Sequence, residues 1–187
     1  MIDTNVIYNE DCLIGMEKLG DKSVDLILTD LPYGVTAAKW DKYIDINKLW
    51  QHFERIITDK GVILMFGQEP FSSKLRLSNL DLYRYDIVWK KQKPSNFQLM
   101  NFQMGRVTEN ICVFSKAKAC YTKNGIAMTY NPQLVKRDKS RLDNLNLEEN
   151  GSWPNIRITP LSVIILSKCC HNLLISIILS HFAAVIP

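Results

Sequence analysis

Two apolar runs, Ser23–Thr29 (SVDLILT) and Gly61–Phe66 (GVILMF), bracket a segment in which Ile46, Leu49, Trp50, Phe53, Ile56 and Ile57 recur at helical spacing. Short β-branched runs read as buried strands, and an apolar stripe with a 3.6-residue period reads as a helix lying on them. Strand, helix, strand in that order predicts an α/β domain with a largely parallel sheet. Upstream, Asn5–Asn9 is a short β-branched run, and Asp11 is placed to cap a helix reaching Leu19, with Gly20 as its stop signal. Downstream, Tyr83–Trp89 and Thr108–Phe114 read as two further strands, and Lys90–Arg106 between them is polar and aromatic with no clear period.

A chain of 187 residues has room for one domain of ordinary size. Its apolar fraction of 47% with 22% charged residues excludes a disordered chain. The net charge of +4 is uninformative, but its distribution is not. Between Arg84 and Arg141 there are twelve Lys or Arg against three acids, Asp86, Glu109 and Asp138. A local basic field is how a protein meets phosphates without an extreme overall charge; an ordinary solvated face is the alternative. The five cysteines show no CxxC spacing and no metal-ligand rhythm with the three histidines, so neither a disulfide scaffold nor a metal site is expected. The start of the chain lacks the basic stretch and apolar core of a signal peptide, and the expected location is cytoplasmic, without a membrane.

The chemistry is concentrated at Asp30-Leu31-Pro32-Tyr33-Gly34, at the carboxyl end of the second strand. Ligands of open α/β sheets bind outside the carboxyl ends of the strands. There, the Asp30 carboxylate and the Leu31 carbonyl can accept two hydrogen bonds from an exocyclic amine and orient its lone pair. Tyr33 offers a flat face to an extruded base. Read alone, the same residues also describe a plain β-turn whose tyrosine packs on its own domain.

This stretch resembles the DPPY motif of the DNA amino-methyltransferases, and the likeness extends to Tyr8-Asn9-Glu10-Asp11-Cys12, Lys39-Trp40-Asp41, GVILMFG, Glu69-Pro70-Phe71, Tyr85–Lys90 and Tyr130-Asn131-Pro132-Gln133. Over about residues 5–135 the chain is similar to the permuted, beta-class members, phage and prophage ones in particular, in which the catalytic motif precedes the cofactor motif. The resemblance implies a Rossmann-like methyltransferase sheet with helices on both faces, S-adenosylmethionine as cofactor, and methyl transfer to the exocyclic nitrogen of adenine, or of cytosine, in double-stranded DNA. Residue by residue, it gives Asp30, Leu31, Pro32 and Tyr33 the catalytic positions. Asp11, Cys12 and Asp30 fall at the cofactor, and Tyr33, Gly34, Lys39, Trp40, Phe66 and Gly67 at the target-base pocket. Lys136, Arg137, Lys139 and Arg141 fall where that family places variable target recognition. Apart from the resemblance, Lys90, Lys91 and Lys93, with Phe97, Phe102 and Tyr121 interleaved among further lysines, fit a DNA-facing segment by composition, and any one of these aromatics taken alone reads more readily as packing under a hairpin. Leu31 stands where proline is commoner; its contribution is a backbone carbonyl, which leucine supplies equally. No metal is required.

The resemblance also implies a later strand followed by a glycine-rich turn for the methionine end of the cofactor. The last glycine is Gly151, and the last acid is Glu149. Residues 161–187 carry Lys168 as their one Lys or Arg and no acid, which fits a buried helix pair, a poor membrane segment or a shifted reading frame. The expected organisation is therefore a catalytic region over residues 1–160, with a basic DNA-recognition segment at about 90–145, and an apolar tail over 161–187, the sheet being incomplete at its carboxyl-terminal end. An active enzyme, alone, as a homodimer or with a complementing second fragment, stands against a DNA-binding remnant without turnover.

Overall fold

The computed structural model describes residues 6–33, 44–120 and 126–130, together with the backbone of two strands at 163–166 and 176–179. Chain order is β1 (Ile7–Tyr8), α1 (Cys12–Glu17), β2 (Val24–Thr29), α2 (Ile46–Ile56), β3 (Ile57–Gly67), α3 (Phe71–Ser78), β4 (Tyr83–Lys90), a 3₁₀ turn (Phe97–Leu99), β5 (Thr108–Phe114), β6 (Val163–Leu166) and β7 (Ser176–Leu179).

Both early helices begin on the expected chemistry. The Asp11 carboxylate accepts from the Leu13 amide at 2.8 Å, and Asp45 accepts from Asn47 and Lys48, so each occupies donors that a helix start leaves unpaired. α1 ends at Glu17, short of Leu19. There Arg55 of α2 donates to the carbonyls of Met16 and Leu19, both at 2.7 Å, and takes over the end of the helix.

The strands form one sheet in the order β1-β7-β6-β2-β3-β5-β4. β2 runs parallel to β3 and to β6, whereas β5 is antiparallel to both β3 and β4. β3 starts four residues earlier than its apolar run because α2 passes into it at Ile57 without a loop. That lead-in is irregular: Val24 pairs with Ile57 but Leu26 with Val62. Gly61 sits inside the irregularity, where a Cβ would lie 2.7 Å from the Ile57 side chain.

Alternation along β3 sorts the core into two faces. Ile63 and Met65 face a cluster holding Met16 of α1, Leu49 and Phe53 of α2, and Phe71 and Leu75 of α3. Val62 and Leu64 face a second cluster with Ile111, Val113, Ala117 and Met128. The α/β class is as expected, but the sheet is mixed rather than largely parallel: among the described strands the β2–β3 and β2–β6 pairings are parallel and the other four antiparallel. Among the described residues, however, all three α-helices pack on one face, and the other is covered by Ala117 and Met128 rather than by a helix.

α3 is an element the sequence reading did not include. Within the apolar tail, Val163–Leu166 form β6, parallel to β2, and Ser176–Leu179 form β7, antiparallel to β6, so these two segments are strands rather than a helix pair. Among the described residues no helix is long and apolar enough to cross a membrane.

Candidate active site

Strand direction gathers the site. β1, β2, β3 and β4 run the same way, so their carboxyl ends lie along one edge of the sheet together with the amino end of β5. Asp11 and Cys12 follow β1, Asp30 follows β2, Phe66 and Gly67 close β3, Lys90 closes β4, and Glu109 is the second residue of β5. Every described residue expected at the site falls on this edge or directly beyond it. Gly34, Lys39, Trp40, Asp41, Tyr121, Lys136, Arg137, Lys139 and Arg141 lie outside the described residues.

β2 ends at Thr29, and Pro32, three residues on, has no amide hydrogen with which to resume the ladder. Leu31 is 2% exposed and its side chain belongs to the core, which leaves backbone as what it presents at the edge. Leu31 and Pro32 line a mainly apolar cavity of about 120 Å³ together with Ile44, Ile46, Phe71 and Leu75. The Tyr33 ring packs on Phe71, centroids 4.9 Å apart, and its hydroxyl lies 2.9 Å from Asp30 Oδ1 and 2.8 Å from Glu109 Oε1. Burial first, and then the neighbouring Asp30 and Glu109, push the Tyr33 hydroxyl far above the ordinary tyrosine range. It is therefore a neutral phenol at any working pH.

Glu109 Oε2 pairs with the Lys91 ammonium. That ammonium also lies 5.6 Å from the Trp89 ring, which meets Phe66 edge-on at 5.9 Å. A cleft of about 340 Å³ opens beside this group, lined by Gln68, Glu69, Arg106, Thr108, Glu109 and Asn110. Gly67 is buried against α3, where a Cβ would sit 3.1 Å from Ser72 Cα. Arg76 of α3 ties the wall together, donating to Glu69 Oε1 at 3.0 Å and to Asp86 Oδ2 at 2.8 Å.

Some expected residues have a structural occupation. Asp11 caps α1, and the Cys12 thiol is buried in the core, where desolvation pushes it up to about 11. Lys91 turns its ammonium to Glu109 and Trp89, whereas Lys90 and Lys93 are exposed. Beyond them Phe97, Phe102 and Met104 are strongly exposed, the last two at 88% and 92%. Among the described residues no group of three His, Cys, Asp or Glu is placed to hold a metal ion.

Residues 24–163 match the DNA methylase family of N6- and N4-directed enzymes. The chain belongs to that family. A curated relative, the Type II methyltransferase M1.MboII of Moraxella bovis, is 25% identical over 128 residues, which cover 63% of this chain and 48% of the relative. This methylase chain thus spans about half the length of the curated relative it matches. Among solved structures, the cytosine-N4-specific PvuII DNA methyltransferase superposes with a TM-score of 0.52 at 10% identity, covering 87% of this chain and 74% of that one. That likeness is one of fold. The M1.HpyAVI–SAM complex gives a TM-score of 0.47 at 14% identity, over 82% of this chain and 76% of that one.

Glu109 and Phe71 are the site residues that sequence reasoning missed. Glu109 stood out only as a rare acid within the basic third; its place follows from pairing, because its neighbour Asn110 sits opposite Gly67 at the end of β3.

Proposed function

We propose that this chain transfers the methyl group of S-adenosylmethionine to the exocyclic amine of adenine in double-stranded DNA, with cytosine as the second candidate base. The observation that carries the reading is Asp30-Leu31-Pro32-Tyr33 at the carboxyl end of β2, on an edge shared with Asp11, Phe66 and Glu109. Asp30 and the Leu31 carbonyl supply two acceptors, which suit the two hydrogens of an amine. They hold it with its lone pair directed at the methyl, so the work is positioning and acceptance of developing positive charge. A nitrogen–carbon bond forms as the sulfur–carbon bond breaks, the electron pair goes to sulfur, and the amine proton passes to Asp30 or water.

The donor set at the edge fits the cofactor. The Asp11 and Asp30 carboxylates suit its hydroxyl and amine donors, and they favour a cationic sulfonium nearby. S-adenosylmethionine, when bound, supplies the electrophilic methyl. In sequence, the exposed Lys90, Lys93 and Arg106 flank the exposed Phe97, Phe102 and Met104, a composition suited to phosphates with apolar side chains to wedge or stack.

The test is transfer of tritium from labelled S-adenosylmethionine to unmethylated plasmid DNA. The wild-type chain is expected to label DNA, and Asp30→Ala to lose the activity while keeping its far-ultraviolet dichroism. Near-normal turnover in Asp30→Ala would overturn the assignment. Retention of DNA with no labelling by the wild type would favour binding without turnover.

A further inference from the structure

We infer that Phe102 and Met104, held out by a loop that Asn96 clamps, form an apolar wedge that enters the DNA duplex beside the catalytic edge and keeps a base pair open. The inference rests on the methyl-transfer reading above. Phe97, Leu99, Met100, Phe102, Met104 and Val107 are all exposed within eleven residues of the segment between β4 and β5. None of them is packed under the hairpin. So dense a run of exposed apolar side chains marks a surface that meets another body.

The loop that carries them is built. The Asn96 side chain bridges its two ends: Oδ1 accepts from the Arg106 amide at 2.6 Å, and Nδ2 donates to the Met104 carbonyl at 3.1 Å. The Leu99 amide closes a 3₁₀ turn onto the Asn96 carbonyl at 2.9 Å. The Phe102 and Gln103 amides return to the Leu99 carbonyl at 2.9 and 3.0 Å. Gly105 lets the chain pass Pro94, whose Cβ would lie 3.0 Å from an added Cβ. With its backbone bonded in this way, the loop presents Phe102 and Met104 without the ordering cost that an unstructured loop meets on binding.

Charge and position select the occupant. From Lys90 to Thr108 the chain carries Lys90, Lys91, Lys93 and Arg106 and no acid. Lys91 is turned to Glu109, and the other three are exposed. Such a loop repels its own copy and attracts a polyanion. It also leaves the sheet at the edge where Asp30 lies. Glu109, which meets the Tyr33 hydroxyl at 2.8 Å, is five residues from Met104 along the chain. Five residues span at most about 18 Å, so the tip stays within one duplex turn, about 34 Å, of a target base at that edge. A phenylalanine and a methionine are apolar wedges of the kind that part base steps.

Phe102→Trp tests insertion without turnover. The added indole is expected to be open to acrylamide in the free chain, and to be quenched and shielded when plasmid DNA is added. It is read as the difference from the wild type, which has four tryptophans of its own. Heparin supplies the charge without the bases and should leave the indole open. Shielding by heparin as strong as by DNA would overturn the wedge. So would shielding by phosphatidylglycerol vesicles in place of DNA, which favours a membrane, or shielding that rises with protein concentration alone, which favours a second copy.

Turnover gives the second readout. Phe102→Gln with Met104→Gln should lower kcat on unmethylated plasmid DNA roughly fivefold to a hundredfold, the worth of one stacked base. Phe102→Leu with Met104→Leu should recover most of that loss, because the wedge needs apolar volume. Neither pair removes a charge, so the slope of DNA binding against salt should hold. An unchanged kcat in the glutamine pair overturns the wedge and leaves the methyl-transfer reading standing. Shielding of the indole by DNA in a chain that methylates nothing keeps the wedge and removes the methyl-transfer reading.

Discussion

Gly67→Ala tests whether the seat of α3 sets the geometry of the catalytic edge. The added Cβ would lie 3.1 Å from both Cα and Cβ of Ser72 and 3.2 Å from Leu75 Cδ1. A leucine methyl can swing aside, but a Cα can yield only if the start of α3 moves, by a few tenths of an ångström. That movement is resisted at both ends. The Phe71 and Ser72 amides donate to the Gln68 carbonyl at 2.8 and 3.1 Å, and Arg76 clamps the helix to Glu69 and Asp86. Overpacking of this kind costs about 1–3 kcal/mol, and each kcal/mol lowers the melting temperature of a chain this size by about 2–4 °C. Phe71 moves with the helix and carries the Tyr33 ring, so kcat should fall roughly threefold to tenfold, since a misplacement of about 1 Å can cost a hundredfold. Gly20→Ala is the control, because its Cβ would meet only Ser23 at an ordinary 3.9 Å; it should stay within about 0.5 kcal/mol of the wild type. Urea melts and initial methyl-transfer rates measure both effects. A Gly67→Ala chain as stable and as fast as the control would refute the close seat of α3.

Three further outcomes follow from the same contacts. DNA affinity should fall linearly with the logarithm of salt concentration, and replacing Lys90, Lys93 and Arg106 by Gln should flatten the slope by about 0.9 for each phosphate no longer neutralised; an unchanged slope places the DNA face elsewhere. Hydrogen bonds from Ser73 foremost, and then the Arg76 guanidinium, pull the Glu69 carboxyl down to about 2 from an ordinary 4.5. A depressed carboxyl contributes stability above its unfolded value, so the difference in urea midpoint between wild type and Glu69→Gln should be full above about pH 5 and fade as pH falls toward about 2; a difference independent of pH would contradict this. Desolvation pushes the thiols of Cys12 and Cys112 up to about 11 and about 12, whereas Cys120 is exposed. Iodoacetamide near pH 8 should therefore modify Cys120 well before either, as read by peptide mass spectrometry, and equal rates would count against the burial of both.

How much of this was legible in the chain follows from how local each cause is. The start of α1 was legible because Asp11 bonds an amide two residues away, and the α2 stripe because Leu49, Trp50, Phe53 and Ile56 bury the same face. β2, β4 and β5 fell within a residue of their apolar runs. α3 escaped because it has eight residues, of which Phe71, Ser72 and Leu75 are buried, too few to set a period. The lead-in to β3 escaped because Thr58, Asp59 and Lys60 are polar and fall in the irregular stretch between the Ile57 and Val62 pairings with β2. The tail was read through composition, and composition alone does not separate a buried helix from strands such as β6 and β7 that pair with β2 and β1.

The site divides in the same way, and the division explains why Glu109 was missed. Asp30, Leu31, Pro32 and Tyr33 are consecutive, so a strand end displays them together and a short motif can reveal them. Glu109 reaches Tyr33 across 76 residues, and only because β5 runs antiparallel to β3 in a register that sets Asn110 against Gly67. A shift of one residue would turn the Glu109 side chain to the opposite face of the sheet and break its contact with the Tyr33 hydroxyl. The Asp30 carboxylate is thus encoded in four neighbouring letters, while the link from Tyr33 to Glu109 is encoded in the register of a strand pair. That register is fixed in turn by Ile111, Cys112, Val113 and Phe114, all buried, whose alternation locks β5 into both halves of the core.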